Sequence, residues 1–220
     1  MKLFILVVTL LVLISPVGAE GLPVNWPWHS VSIGFPEGTP QDIKRYKKEL
    51  GINAVRLQIK SRKYSRMTKI SGPEALKKGL EWADQMLDTC AELGVTATIN
   101  ISHFPSDASK PKQRTKAFWD SSEARLGVLD TVSTTVKYFK GRGKELGAYD
   151  FMSEPVLKRK GKSIRPPLWP DMLEKIAKIV KTSDPKRWLV VSPGPWGGAG
   201  GYSSYLPQFE QRIIWGAHMY

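Results

Sequence analysis

Short apolar runs alternate with longer amphipathic stretches along most of this chain. Six runs have the length and composition of β-strands: residues 30–35, 52–59, 95–104, 148–152, 188–192 and 213–220. Four stretches between them have helical spacing or composition: residues 39–50, 73–93, 116–139 and 170–181. Alternating strands and helices are typical of parallel strand pairing with right-handed crossovers. The pattern therefore predicts a single domain of the α/β class.

Cys90 belongs to the apolar stripe of the second predicted helix. Apolar residues recur there at steps of four and three, namely Leu76, Leu80, Ala83, Leu87 and Cys90. Residues at this spacing lie on one face of a helix. The pattern therefore predicts that Cys90 is a small buried residue and not a nucleophile. Since Cys90 is the only cysteine in the sequence, no internal disulfide can form.

Two architectures fit the alternation, an open doubly wound sheet and a closed (β/α)8 barrel. An open sheet usually binds nucleotides through a glycine-rich turn after its first strand, but residues 34–38 contain no G-x-G-x-x-G motif and no phosphate-binding lysine. The later glycine-rich segment 194–201 contains Pro195 and Trp196 and follows Pro193, which is typical of a surface loop. A barrel should instead carry its active residues at the carboxyl ends of several strands.

Polar residues do lie along or at the ends of the predicted strands. In the second strand, Val55, Leu57 and Ile59 alternate toward the helices, which points Arg56 and Gln58 into the barrel. An interior cation is costly unless carboxylates compensate its charge. The second strand therefore predicts an interior arginine with an acidic partner.

The third strand is predicted to place His103 on the interior face. Counting back in steps of two gives that face four apolar residues: Val95, Ala97, Ile99 and Ile101. The same count puts three polar residues on the side that packs against helices: Thr96, Thr98 and Asn100.

The fourth and sixth strands follow the same rule of alternation. The fourth places Asp150, Met152 and Glu154 on one interior face, and the sixth places His218 and Tyr220 together. The polar ends of several different strands favour the barrel. The fold class predicted here is thus α/β, a (β/α)8 TIM barrel that is incomplete in this chain, with about six of the eight strands.

With these residues located, the chain resembles glycoside hydrolase family 5, the cellulase-type barrels, over essentially all of residues 20–220. The resemblance is carried by four pieces that occur in the family's order along the chain: Asn53-Ala54-Val55-Arg56, His103, Ser153-Glu154-Pro155 and His218-x-Tyr220. Each piece alone is a weak signal, but four in order are fairly specific.

The resemblance implies roles for individual residues. It gives Glu154 the role of the general acid/base. It implies a sugar subsite lined by Arg56, His103, His218 and Tyr220, and we add Trp196 of the glycine-rich loop as a substrate-binding residue. The family has an asparagine that contacts the sugar 2-hydroxyl immediately before its acid/base, and this chain has Ser153 there. The family's nucleophile, a glutamate at the end of the seventh strand, would lie beyond residue 220.

The two ends of the chain suggest processing and truncation. Lys2 precedes an apolar run at residues 3–14, and small residues at 17–19 offer a cleavage site. We therefore predict a signal peptide at residues 1–19, a secreted (extracellular or periplasmic) protein and no stable membrane insertion. Residues 20–220 are predicted to be a partial barrel domain, inactive by itself, because a whole barrel takes about 250 residues.

The positive charge of the chain is concentrated after three strands. The chain has 33 Lys and Arg against 20 Asp and Glu, for a net charge of +13. Residues 60–69, 105–116 and 155–165 carry 14 basic residues and a single acidic one, Asp107. In a barrel these segments lie on the active face. This basic rim is either a solvated surface or a sign of an anionic glycan or cell wall, and we expect residues 158–162 to point outward along it.

The leading functional prediction is a monomeric, secreted glycosidase that cuts a β-linked polysaccharide, neutral or anionic, with retention of configuration. A catalytically silent glycan-binding barrel is the alternative favoured by Ser153, and a basic protein that binds anionic glycans or surfaces is the third. No nucleic acid is predicted as a partner, because no binding motif accompanies the basic residues. No cofactor and no metal are predicted, since no H-E-x-x-H spacing accompanies the histidines.

Overall fold

A computed structural model describes residues 22–104, 113–198, 201 and 212–216. The predicted signal peptide and the predicted site residues His218 and Tyr220 lie outside these ranges. The described strands are β1 (Ser30–Gly34), β2 (Ala54–Gln58), β3 (Thr96–Ile101), β4 (Leu146–Phe151), β5 (Leu157–Arg159), β6 (Lys162–Ile164), β7 (Trp188–Val191) and β8 (Ile213–Trp215). The described helices are α1 (Pro40–Leu50), α2 (Ser61–Thr68), α3 (Gly72–Leu93), α4 (Lys116–Asp120), α5 (Ser122–Phe139) and α6 (Trp169–Ser183).

Six of these strands form one parallel sheet in the order β1-β2-β3-β4-β7-β8. Each strand of the sheet pairs with the one before it, and at least one helix lies in each connection from β1 to β7. In a (β/α)8 barrel, each strand likewise lies next to the strand that precedes it along the chain. The predicted α/β class and the six predicted strands of the incomplete barrel are confirmed, with strand ends that move by a few residues.

Helix ends follow the capping signals in the sequence. Thr39 precedes α1, its backbone N–H donates to the Asp42 carboxylate at 2.9 Å, and Pro40 is the first helical residue. Gly51 and Gly94 end α1 and α3 in the left-handed conformation, at φ 63° and 61°. Both ends of α1 and the carboxyl end of α3 therefore carry residues that favour a helix end.

The apolar stripe of α3 faces the sheet as predicted. Its members are buried, from Leu76 at 5% exposure to Cys90 at 0%. Burial raises the pKa of the Cys90 thiol to about 12, so the sulfur stays protonated and unreactive at neutral pH. Cys90 is thus a packing residue.

The prediction for the two faces of β3 is wrong. The register pairs Arg56 with Thr98, Gln58 with Asn100, and Asn100 with Asp150, and paired residues in a sheet share a face. The polar side of β3 is therefore the interior side. The apolar side packs into the helical core through Ala97, Ile99 and Ile101.

The error has a simple physical origin. β3 ends at Ile101, so the count in steps of two from His103 passed through residues that are not in the strand. Alternation holds only while the backbone is extended. The polarity of Thr96, Thr98 and Asn100 is what an interior face needs when it surrounds an arginine.

Two connections and one helix differ from the predicted elements. The basic segment after β2 contains α2, and the segment after β4 folds as the antiparallel hairpin of β5 and β6. The predicted helix 116–139 is divided at Ser121, whose side chain accepts a hydrogen bond from the backbone N–H of Ala124 at 3.1 Å. A serine that caps a helix favours a new start over continuation.

Candidate active site

One pocket of about 250 Å³ opens at the carboxyl ends of β2, β3 and β4. Its lining residues come from β2, from the segments that follow β2, β3 and β4, and from α4 and the turn before it: Arg56, Gln58, Lys60, Ser102, His103, Gln113, Arg114, Trp119, Met152, Ser153, Glu154, Pro155 and Val156. Four residues that the sequence singles out therefore meet here, namely Arg56, His103, Ser153 and Glu154. This is the end of the sheet at which barrels place their chemistry.

Arg56 is held in the interior by Asp150. Its Nε and Nη2 atoms both donate to Asp150 Oδ2, at 2.9 and 2.7 Å. The Asp150 side chain is 4% exposed and that of Arg56 is 23% exposed, so the carboxylate is buried while the guanidinium reaches the pocket. The sequence placed Asp150 on the interior face, and the need of an interior cation for a carboxylate was the signal for this pair.

Asn100 supports the same strand junction from β3. Its Nδ2 donates to the backbone carbonyl of Asp150 at 2.9 Å. Among the described residues, Asn100 Oδ1 and Asp150 Oδ1 are buried and accept no hydrogen bond. Buried oxygen atoms are normally hydrogen-bonded. These two oxygens, next to Arg56, can therefore accept hydrogen bonds from further donors at this end of the barrel.

His103 stands at the pocket wall just after β3. Ser61, fully buried at the start of α2, donates to the His103 carbonyl at 3.1 Å and fixes this turn. The pKa of His103 is lowered, first by desolvation at the wall and then by the cations Lys60, Arg114 and Arg62, while Glu154 acts in the opposite direction. The imidazole is thus neutral at pH 7 and can both donate and accept a hydrogen bond.

Glu154 reaches the pocket through a turn and not through strand alternation. β4 ends at Phe151, and Met152 has a left-handed φ of 58°. This conformation is strained for a residue with a side chain. The predicted common face of Asp150, Met152 and Glu154 is therefore interrupted after Asp150, although Met152 and Glu154 still line the pocket.

Trp196 lies beside the pocket and not in its lining. Its ring is flanked by two cations, with Arg114 Cζ 4.3 Å and Lys158 Nζ 4.8 Å from the ring centroid. Gly194 lets this loop approach the strand end, because a Cβ at Gly194 would stand 2.7 Å from the Pro155 carbonyl oxygen. The glycine is needed there for close contact next to Glu154.

Arg114 and Lys60 are pocket residues that the sequence did not single out from the basic rim. An Arg114 Nη2 atom lies 3.5 Å from Glu154 Oε2. Nothing in the sequence separates these two cations from their basic neighbours, because their place depends on how α2 and the turn before α4 are oriented. Residues 158–162 of the rim are exposed, as expected.

The sequence model of the family described as cellulase (glycosyl hydrolase family 5) matches residues 17–220. The chain belongs to glycosyl hydrolase family 5. The partial barrel is therefore part of the (β/α)8 fold of that family, and the resemblance on which the site residues were assigned is confirmed at the level of the family.

Solved structures share the fold at low sequence identity. The endoglucanase Cel5A of Pseudomonas stutzeri, solved in complex with cellobiose, is 15% identical with a TM-score of 0.57, over 80% of this chain and 50% of that one. The Thermotoga maritima Cel5A, a mutant form with cellobiose substrate, is 18% identical with a TM-score of 0.57, over 81% and 52%. Endo-glycoceramidase II of a Rhodococcus species is 18% identical with a TM-score of 0.58, over 84% and 52%.

This family 5 chain thus spans about half the length of the solved relatives that it matches. Among curated proteins, none matches the sequence. Within the ranges that the structure describes, no helix is long and apolar enough to cross a membrane. Those ranges also bring together no group of three or more His, Cys, Asp or Glu side chains that could hold a metal ion.

Proposed function

We propose that this chain forms part of a secreted, retaining glycoside hydrolase that cuts a β-linked polysaccharide, with Glu154 as the general acid/base. The observation that carries the proposal is the position of Glu154. It follows β4 at the carboxyl end of the barrel, in one pocket with Arg56 and His103. Family membership supports the hydrolase, and the neighbours in complex with cellobiose are consistent with a sugar ligand.

The mechanism divides between two carboxyl groups. Retention requires an acid that protonates the leaving oxygen and a nucleophile about 5–5.5 Å away that forms a glycosyl-enzyme. Among the described lining residues, Glu154 is the only carboxylate. We propose that the nucleophile comes from a part of the gene product outside this sequence, that Arg56 keeps it ionised, and that His103 positions sugar hydroxyls.

The test is Glu154→Gln in the complete gene product, with Glu92→Gln on the exposed surface of α3 as the matched control. Turnover of a natural polysaccharide should fall by about 10²–10⁴-fold, because its leaving group needs a proton. An aryl glycoside with a good leaving group should lose far less in the first chemical step. Equal losses on both substrates, or a loss in the Glu92 control, would refute the acid role.

A silent glycan-binding barrel is the second candidate, and Ser153 is the observation that favours it. Ser153 is 5% exposed and lines the pocket next to Glu154, where family 5 has an asparagine that contacts the sugar 2-hydroxyl. A serine is shorter and reaches that position only through a water or toward a shifted sugar. The contact and related interactions are worth several kcal/mol in the transition state.

The Ser153→Asn variant separates the candidates. A silent barrel should show no hydrolysis as isolated, and hydrolysis gained on every substrate would indicate a decayed cellulase site. An active enzyme with an altered subsite should gain on a neutral β-glucan and lose on glycans with another 2-substituent. No change on any substrate would mean that Ser153 does not touch the sugar.

A further inference from the structure

The charges around the pocket do not fit a neutral sugar. Three lining residues are cations, Arg56, Lys60 and Arg114, against the single carboxylate of Glu154. Arg56 is already compensated by Asp150. Glu154 offsets one of the two remaining cations, Lys60 and Arg114, so the pocket keeps an excess of one positive charge. Glycoside cleavage, by contrast, passes through a transition state in which the sugar itself becomes positive.

Arg114 is anchored by its backbone but half exposed in its side chain. The backbone N–H of Lys158 donates to the Arg114 carbonyl at 2.9 Å, which joins the turn before α4 to β5. The guanidinium lies over Trp196 and touches Glu154 at 3.5 Å, with 51% of the side chain exposed. A contact of this length and exposure can be exchanged for a better anion at little cost.

The contact between Arg114 and Glu154 opposes the proposed chemistry. A guanidinium beside a carboxyl group favours its ionised form. A general acid must hold its proton until the leaving oxygen takes it. The observed arrangement is thus suited to a resting site, and catalysis requires that Arg114 be given another partner.

We propose that the pocket takes a glycan that carries a carboxylate or a sulfate, and that this group binds Arg114 and Lys60 and draws Arg114 away from Glu154. The anion compensates the excess charge and removes a contact that favours the ionised form of Glu154. This inference rests on the proposed function, because it assumes a sugar in the pocket and an acid role for Glu154. Carboxylate and sulfate share the chemistry that a guanidinium and an ammonium recognise.

The surroundings of His103 show where the positive charge of these cations acts. Lys60, Arg114 and Arg62 all contribute to lowering the pKa of His103, after desolvation. The cations are therefore close enough to act on one point of the wall. A field of this sign attracts anionic ligands.

Binding is the first test, because it needs no turnover. The complete gene product is titrated calorimetrically with thio-linked β-glucan tetrasaccharides, which resist hydrolysis, in neutral, carboxylated and sulfated forms at about 150 mM salt, where exposed charges are already screened. The anionic forms should bind about tenfold tighter or more, since one charge-assisted contact is worth that much. The form that binds more tightly identifies the natural group.

Variants show whether the pocket or the whole basic rim is responsible. Arg114→Gln and Lys60→Gln should each abolish the preference for the anionic forms. Lys162→Gln removes the same charge from the exposed hairpin outside the pocket lining and should keep the preference. Equal affinity for neutral and anionic forms, or an equal loss in Lys162→Gln, would overturn the inference while leaving the hydrolase intact. Absence of binding to all three forms would reject the proposed function with it.

Turnover supplies a second readout that a passive rim would not give. If Arg114 restrains Glu154 in the absence of an anion, Arg114→Gln should raise kcat on the neutral polysaccharide and lower kcat/KM on the anionic one. Such a reversal of preference requires both parts of the proposal. A fall on both substrates would show that Arg114 supports the acid, and would overturn it.

Discussion

Two arginine–aspartate pairs lie at opposite ends of the sheet and are built differently. Arg187, before β7, donates through Nε to Asp184 Oδ2 at 3.1 Å and through its other nitrogens to the carbonyls of Gly143, Leu146 and Arg142. Tyr149 donates to the same Asp184 oxygen at 3.0 Å.

The second pair, Arg56 and Asp150, is far less saturated. Asp150 Oδ1 accepts no hydrogen bond among the described residues, and Arg56 is 23% exposed where Arg187 is 7% exposed. A saturated, buried network stabilises a fold, whereas an unsaturated one at a pocket keeps its capacity for a ligand. The same two residue types therefore serve stability at one end of the sheet and binding at the other.

Loss of Arg187 should have the largest effect on stability. Arg187→Met leaves Asp184 buried without its cation and removes a guanidinium donor from three carbonyls, and should lower the free energy of unfolding by about 3–5 kcal/mol. Urea unfolding measures the change. Arg45→Met, at an exposed pair with Asp42, is the control and should cost less than about 1 kcal/mol. Similar costs for both variants would remove the distinction drawn for the buried network.

Asp150→Asn should divide its effect between stability and activity. The variant keeps the shape of the side chain but removes the charge that holds Arg56, so stability should fall by only about 2 kcal/mol. Turnover by the complete gene product should fall about 10²-fold, because a displaced guanidinium no longer positions the reacting groups. A larger loss of stability than in Arg187→Met, with activity retained, would reverse the assignment of the two pairs.

Tyr149→Phe tests the saturated pair more finely. Removal of one hydrogen bond to a charged, buried group should cost about 1.5 kcal/mol, against no change for Tyr138→Phe at an exposed position. Burial, and then Asp184, raises the pKa of Tyr149, so the wild-type fold should lose stability as the pH rises above about 10, the pKa of an unfolded tyrosine. The Tyr149→Phe variant should lose less stability over that range. Urea unfolding of both proteins on either side of this pH measures the difference.

His103 should give the smallest effect and the opposite dependence on pH. Because its pKa is lowered in the fold, the unfolded chain binds the proton more readily, and stability should fall as the pH drops below about 6.5. The residue is exposed, so the change should be smaller than those above. His103→Gln should reduce this sensitivity to acid in unfolding experiments. An unchanged slope would exclude His103 as the titrating group.

The sequence predicted the strand order and the residues of the pocket better than the path by which they reach it. The alternation of Val55, Leu57 and Ile59 correctly predicted which face of β2 packs against the helices, because that strand is extended over its whole length. The assignment of residues to alternate faces was wrong where it was extended past Ile101 in β3 and past Phe151 in β4, because the backbone leaves the strand at these residues. No sequence pattern predicts the left-handed backbone conformation of Met152. The surrounding structure holds this conformation, which the residue alone would not adopt.

The charged neighbours of Glu154 could not be predicted for a different reason. Arg114 and Lys60 belong to segments with many equivalent cations, and tertiary packing selects which of them enter the pocket. Trp119 shows how this selection works. It is 2% exposed, and its indole donates to the Val156 carbonyl at 3.2 Å, which fixes α4 against the segment after Glu154. Contacts between segments distant in sequence carry no local signal.

The order of strands in the sheet also bears on how the chain folds during synthesis. Each new strand pairs in parallel with the strand that precedes it in the sheet. On a ribosome, β1, β2 and β3 can therefore assemble with α1 and α3 before β4 is made, and β4 then adds to an edge that already exists. Each pairing joins strands that are consecutive in the sheet and in the chain, so the segment that closes is shorter than a pairing of more distant strands would need, and the entropy of closure is lower. Amides in β2 and β3 should accordingly become protected from hydrogen exchange before those of β7 in a pulse-labelled nascent chain.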